Sequence, residues 1–284
     1  MSDSDFERLR EWVGKTESAT DTLAAWPVAA LTATLGHHAL APKTGDELPP
    51  AWHWLYFLDA KPEPELGPDG HPKRGGFLPP VPLPRRMWAG GRIEFLQPLR
   101  VGDAVRRDST ILSVEPKRGR SGSLVFVTVE HAVSHDGTLC VREEHDIVYR
   151  EAARPGDAAP ETVAAPANPA WQHSLVGTPV LLFRYSALTF NGHRIHYDLD
   201  YARHEEHYPG LVVHGPLQTT LMLDLCRRHS TRRVTRLDYR ARQPLFHGER
   251  FTIGGTPHAG GGSAELWAAN AAGRLTMSGT AWFA

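Results

Sequence analysis

Asn191, His193, His196 and Asp198 fall within one run, Arg184 to Asp198, that also carries Leu188, Phe190 and Ile195. An amide that holds a water, imidazoles that gain and lose protons near neutral pH, and a carboxylate are the parts of a general acid/base centre. Downstream, Tyr208 to Leu217 reads as a loop feeding an apolar helix over Leu217 to Cys226, whose first N–H groups would face that centre. Gly215 is the candidate donor there, because without a side chain a substrate oxygen can approach its N–H closely. Tight packing would call for a glycine equally well.

The rest of the chain must position these groups. At 284 residues it exceeds most single cores and implies two domains. A hydrophobic content of 41% and a charged content of 22% are those of a chain that buries a sizeable core unaided. The net charge of -1, from 31 basic and 32 acidic residues, excludes a global footprint for nucleic acid or an anionic membrane. Cys140 and Cys226 are the only cysteines, which argues against a disulfide framework or a thiolate-rich zinc site and for a reducing compartment. The acidic start and the lack of any run of about eighteen apolar residues set the expectation of a cytoplasmic protein.

Local patterns predict a short helix from Ser4 to Val13, a second from Pro27 toward Gly36, a buried helix over Ala51 to Leu58, and a long surface loop from Lys61 to Pro84. Strands are predicted over Arg92 to Leu96, Ala104 to Val114, Ser123 to Val133 and Leu139 to Tyr149, with Asp136-Gly137 turning the last pair. Residues 153–170, mostly Ala, Pro and small polar types, read as a linker between domains at 1–152 and 171–284. The second domain starts with a short segment at Val180 to Phe183. Further strands follow near Val234 to Arg242, Arg250 to Gly254, Ala264 to Ala269 and Leu275 to Phe283.

The halves share a pattern. Gln97-Pro98-Leu99-Arg100-Val101-Gly102-Asp103 matches Gln243-Pro244-Leu245-Phe246-His247-Gly248-Glu249, and Gly122-Ser123, Gly137-Thr138-Leu139 and Ala30-Leu31-Thr32 find counterparts, at Gly262-Ser263, Gly273-Arg274-Leu275 and Ala187-Leu188-Thr189. This implies an α+β fold, a tandem double hot-dog in which each half is an antiparallel sheet wrapped around a long central helix.

From Tyr185 to His196 the chain resembles the MaoC-like, or (R)-specific enoyl-CoA hydratase, family, whose signature ends in Asp-x-Asn-Pro-Ile-His. Asn191 stands at the family's catalytic Asp, His193 at its Asn, Arg194 at its Pro and His196 at its catalytic His. Val213-His214-Gly215 resembles the His-Gly before the family's central helix. The run Leu188 to Asp198 is similar to the hallmark of a narrower branch: mesaconyl-C4-CoA and itaconyl-CoA hydratases and mitochondrial 3-hydroxyacyl-thioester dehydratases. Arg85 to Gly91 and Lys117 to Val127 resemble that branch's N-terminal FAS1-like dehydratase domain.

The resemblance implies a hydro-lyase acting on an α,β-unsaturated acyl-CoA, with a branched C5 dicarboxylic acyl group and citramalyl-CoA as product. His196 is expected to move the proton, Asn191 to orient the water because an amide cannot take a proton as Asp would, and Gly215 to meet the thioester oxygen. His193, Arg194, His214, Arg240 and Arg242 are expected to bind substrate, the two arginines on the CoA phosphates with Arg232, Arg233 and Arg236 nearby. Solvated strand faces carry such arginines too, and Arg194 with Asp198 would also make a local ion pair. Trp52, Trp54, Tyr56 and Phe57 suit an acyl pocket in a non-catalytic first half, or plain core packing. No separate cofactor is expected, CoA being part of the substrate, and neither nucleic acid nor membrane is an expected partner; a homodimer of such chains is compatible with the fold.

Other readings share these residues. His193-x-x-His196 and His204-x-x-His207 have a spacing that metal sites use, although no metal is expected here. A hot-dog thioesterase, a dehydratase of linear acyl chains and a non-catalytic acyl-thioester binder stay open alternatives.

Overall fold

The computed structural model describes residues 3–38, 41–119, 122–151 and 162–284. Ten strands form one antiparallel sheet. The first half supplies β1 (Thr16–Thr22), β2 (Arg85–Phe95), β3 (Ala104–Gly119), β4 (Gly122–His135) and β5 (Thr138–Arg150). The second supplies β6 (Trp171–Val176), β7 (Val234–Ala241), β8 (Arg250–Pro257), β9 (Ser263–Ala269) and β10 (Leu275–Phe283). Their order, β1-β3-β4-β5-β2-β7-β10-β9-β8-β6, reads as the same five-strand pattern from either edge, and the halves join where β2 pairs with β7, Gly91 opposite Tyr239. This is a double hot-dog.

The sequence repeats fall on equivalent turns. Gln97–Asp103 lies between β2 and β3, and Gln243–Glu249 between β7 and β8; both bury their leucine, Leu99 and Leu245, and hold their glycine, Gly102 and Gly248, at positive φ. A hydrophobic anchor beside a left-handed glycine fixes the same turn twice.

The helices break the symmetry. α1 (Asp3–Arg10) leads into β1 and sets Leu9 in a small core with Val125, Val127 and Tyr149. α2 (Ala25–Thr34) packs on its counterpart α3 (Pro179–Leu188), and the short α4 (Leu199–His204) leads toward α5 (Gly215–His229). Every residue of α5 from Leu217 to Cys226 is buried, so the second half has the expected central helix. In the first half that detail is corrected: between α2 and β2 the described residues form two short 3-10 turns, Trp52–Leu55 and Glu63–Glu65, and no α-helix, where a helix over Ala51 to Leu58 was expected. Four residues turn, then the chain extends at Tyr56, while His53 Nε2 lies 2.9 Å from Glu143 Oε2 and Trp54 Nε1 donates to the same oxygen at 2.9 Å. A buried carboxylate thus draws two consecutive side chains, which competes with continuing the helix.

β1 and β6, unread in the sequence, are the two edges of the sheet, where one partner suffices and a polar strand such as Thr16–Thr22 is tolerated. Residues 153–161 of the expected linker lie outside the described residues; after them, Ala164 bridges to Arg274.

Candidate active site

The polar run Arg184 to Asp198 is a helix end, a tight loop and a helix start. Thr178 caps α3 by accepting the Leu181 N–H at 3.1 Å, and the helix runs on past the short segment read from sequence to Leu188. Phe190 then takes a left-handed conformation (φ 48), and the Asn191 N–H returns to Ser186 O at 2.8 Å. Asn191 Oδ1 accepts the His193 N–H at 3.0 Å, which spends the amide oxygen on the loop and leaves its NH2 as the group free to reach a ligand. A 3-10 turn, Arg194–His196, follows, and Asp198 closes the loop by capping α4 through Tyr201 N at 3.0 Å.

His196 is buried, with Nδ1 2.7 Å from Val212 O. A carbonyl only accepts, so Nδ1 carries the hydrogen and Nε2 holds a lone pair. Burial pushes the His196 imidazole down to about 4 and His193 down to about 2, while His214 lies well below its ordinary value for the same reason, so all three are neutral near pH 7. His214 stacks on His196 with ring centroids 3.7 Å apart, and its Nε2 lies 2.8 Å from Ser186 Oγ.

A cavity of about 1280 Å³ opens along the junction of the halves, lined by Asn191, His193, His196 and Gly215 from the second and by His71, Arg86 and Trp88 from the first. Gly215 begins α5, and its N–H makes no hydrogen bond among the described residues. A Cβ there would meet Trp88 Cε3 at 3.2 Å, so glycine lets the indole close over the helix start.

The expected binding residues part company. Arg240 and Arg242 reach the cavity wall; Arg240 is exposed and its guanidinium makes no hydrogen bond or ion pair among the described residues, while Arg242 Nε donates to Ser278 Oγ at 2.9 Å. Arg232, Arg233 and Arg236 are bound elsewhere, to Gly261 O, Phe95 O and Asp238. Arg194 and His214 are absent from the wall. Arg194 pairs with Asp198 at 2.8 Å, donates to Pro68 O at 3.0 Å and lies over Tyr201, so it braces the loop. Trp52, Tyr56 and Phe57 are core residues.

His71 carried no signal in the sequence, and Arg86 and Trp88 lay in the Arg85 to Gly91 run that carried a resemblance but no assigned role. Arg86 precedes Trp88 by two positions on β2, and alternation along a strand puts both on one face. Half-buried, Arg86 has no carboxylate partner among the described residues. Asp69, His71 and His193 place one donor atom each within 4.8 Å of one another, whereas the histidine pairs singled out by spacing do not converge on an ion-sized site with a third donor among the described residues. Cys140 and Cys226 are both buried and unpaired, and no helix among the described residues is long and apolar enough to cross a membrane.

Residues 51–247 match the family model for hydroxyacyl-thioester dehydratase type 2. The chain is 46% identical over 269 residues to the mesaconyl-C(4)-CoA hydratase of Chloroflexus aurantiacus, covering 95% of each protein. It is 32% identical over 259 residues to the mitochondrial hydroxyacyl-thioester dehydratase type 2 of Schizosaccharomyces pombe, covering 80% of this chain and 85% of that one. A MaoC-like dehydratase from Phytophthora capsici, at 14% identity, shares the fold with a TM-score of 0.72 over 98% of this chain and 97% of the other.

Proposed function

This chain belongs to the hydroxyacyl-thioester dehydratase type 2 family, and from that premise we propose that it is an acyl-CoA hydratase whose substrate is a branched C5 dicarboxylic enoyl-CoA. Mesaconyl-C4-CoA or itaconyl-CoA would give citramalyl-CoA, reversibly. The observation that carries the reading is His196, held through Nδ1 by Val212 O with a neutral ring at the cavity wall. Such an imidazole is a base that needs no prior deprotonation near neutral pH.

In the hydration direction the NH2 of Asn191 holds the water oxygen, and His196 Nε2 takes one of its protons. On mesaconyl-C4-CoA the oxygen bonds to C3 while the π electrons of the C2–C3 double bond move onto the thioester oxygen; itaconyl-CoA, whose double bond lies at the methylene on C3, must first shift it to C2–C3. That oxygen is met by the Gly215 N–H at the start of α5, where the aligned peptides favour negative charge. The proton then passes from His196 to C2. Water is added without net change in the protein.

Arg86 supports the dicarboxylic preference: a half-buried guanidinium at the cavity wall without a protein carboxylate offers its fork to the distal carboxylate of the acyl group. Arg240, exposed at the same wall, suits a CoA phosphate. The similarity to the fission-yeast dehydratase favours, as a second reading, dehydration of linear 3-hydroxyacyl thioesters. Buried free thiols at Cys140 and Cys226 fit a reducing, cytoplasmic setting.

The test is turnover of a panel of mesaconyl-C4-, itaconyl- and linear enoyl-CoAs with product analysis. Hydroxyacyl-CoA from the dicarboxylic substrates is the expected result. Free CoA would mean thioester hydrolysis, and turnover of the linear substrates alone would favour the second reading.

A further inference from the structure

The first half reaches into the reaction centre through its long loop. Asp69 O accepts the Arg194 N–H at 2.9 Å, Pro68 O accepts Arg194 Nη1 at 3.0 Å, and Gly70 lies against Gly192. Between these anchors Asp69 and His71 form a pair: Nδ1 of His71 lies 3.1 Å from Asp69 Oδ2, and the His71 N–H donates to Asp69 Oδ1 at 3.1 Å. The His71 ring is 4.2 Å from that of His193, centroid to centroid, and lines the same cavity as Asn191, His193 and His196.

Burial raises the Asp69 carboxyl, but the hydrogen bonds it accepts from the His71 ring and N–H outweigh that and keep Asp69 below the usual carboxylate range; burial pushes His71 below its ordinary value. A carboxylate that only accepts therefore faces a neutral ring, so the hydrogen sits on Nδ1 and the lone pair on Nε2. Carboxylate, imidazole and cavity together form an acceptor site beside the Asn191 NH2, a donor.

We propose that Asp69 and His71 return to the reaction centre the carboxylate function that position 191 lacks: Asp69 positions His71, and His71 accepts the second hydrogen of the attacking water. The inference rests on the hydratase reading. One proton of the water goes to His196 Nε2 and on to C2; the other stays on the oxygen, hydrogen-bonded to His71 Nε2, as that oxygen bonds to C3. His71 neither gains nor loses a proton. The water is then held by a donor, Asn191, and two acceptors, His196 and His71, which fixes the direction of its lone pair.

Asp69→Asn and His71→Ala test this by steady-state kinetics on mesaconyl-C4-CoA, run with and without EDTA, with thermal melts to check folding. The loop anchors from Pro68 and Asp69 are backbone carbonyls and survive both changes. Expected is a kcat lower on the order of 10²-fold in His71→Ala and about tenfold in Asp69→Asn, with KM little changed and partial recovery of His71→Ala by added imidazole. Unchanged kcat in both folded variants, or a loss confined to KM, overturns the proposal. Wild-type activity abolished by EDTA also overturns it, making Asp69, His71 and His193 a metal site. A wild type that converts no enoyl-CoA sinks the hydratase reading and this one with it, whereas an active wild type with unaffected variants sinks this one alone.

Discussion

Gly70 of the first half lies so close to the carbonyl of Gly192 in the second that a Cβ on Gly70 would have no room, and Gly70 is also left-handed, at φ +85. Nothing local requires the two to meet, since they belong to loops far apart in the chain. Their contact brings the Asp69–His71 segment to the loop that carries Asn191, His193 and His196. Gly70→Ala is expected to lower stability by about 1–3 kcal/mol from backbone strain alone and to depress kcat further by shifting the loop. A denaturant melt and a turnover assay on the same sample check it; wild-type values in both would contradict the contact.

His196→Ala is expected to abolish hydration, a loss of at least about 10²-fold, while the fold survives. The Val212 carbonyl that accepts its Nδ1–H would then lose its partner, so a small fall in Tm is expected as well. Near-normal turnover in a folded variant would remove His196 from the mechanism.

Asn191→Asp keeps the acceptor for the His193 N–H but exchanges the cavity-side NH2 for an oxygen. Because the water oxygen accepts from that NH2 in the proposed mechanism, kcat should fall by about tenfold or more, and undiminished turnover would contradict the role; Asn191→Ala, which loses both the turn and the donor, should fall at least as far. A loss in Asn191→Asp as deep as in Asn191→Ala would show that the N–H donor is indispensable.

Arg86→Met tests acyl selectivity. Leaving a distal carboxylate unpaired in a half-buried site costs about 2 kcal/mol or more, so KM for mesaconyl-C4-CoA should rise roughly thirtyfold or more. Linear enoyl-CoAs, with no second carboxylate, should be unaffected. An equal change for both substrate classes would give Arg86 a role in shaping the cavity instead.

Acid should destabilise the protein through its histidines. Burial holds His196 at about 4, His131 at about 3 and His193 at about 2, against about 6.5 in an unfolded chain. Between those values the unfolded state binds more protons, so stability rises with pH across the interval: it is fully present above about pH 6.5 and drains away as pH falls toward 4. Tm measured from about pH 8 down to 5 should hold level and then decline below about 6.5. A flat profile to pH 5 would mean that these rings are not buried neutral.

Much was legible in the sequence because its cause is local. Alternation of valines over Ser123 to Val133 made β4 half-buried whatever its neighbours, the matched Gln-Pro-Leu turns at Gln97 and Gln243 disclosed the duplication, and the spacing from Asn191 to His196 fixed which groups share one loop. The apolar run from Leu217 to Cys226 announced α5. What failed locally had a tertiary cause: Trp52 to Leu55 stops after one turn because Glu143, distant in sequence, draws His53 and Trp54, and β1 and β6 are strands because the sheet ends there.

The sequence by itself determined the family, the two-fold sheet architecture and the identity of the groups in the Asn191 to His196 loop, since these depend on side-chain type and on spacing along one chain. Only the tertiary structure decided that His196 presents Nε2 rather than Nδ1, because the choice is made by the Val212 carbonyl across the loop. It alone decided that Arg194 braces the loop, and that His71, Arg86 and Trp88 share a cavity wall with His196. Those facts are distances between residues remote in sequence, created where β2 pairs with β7 and the long loop of one half folds onto the other.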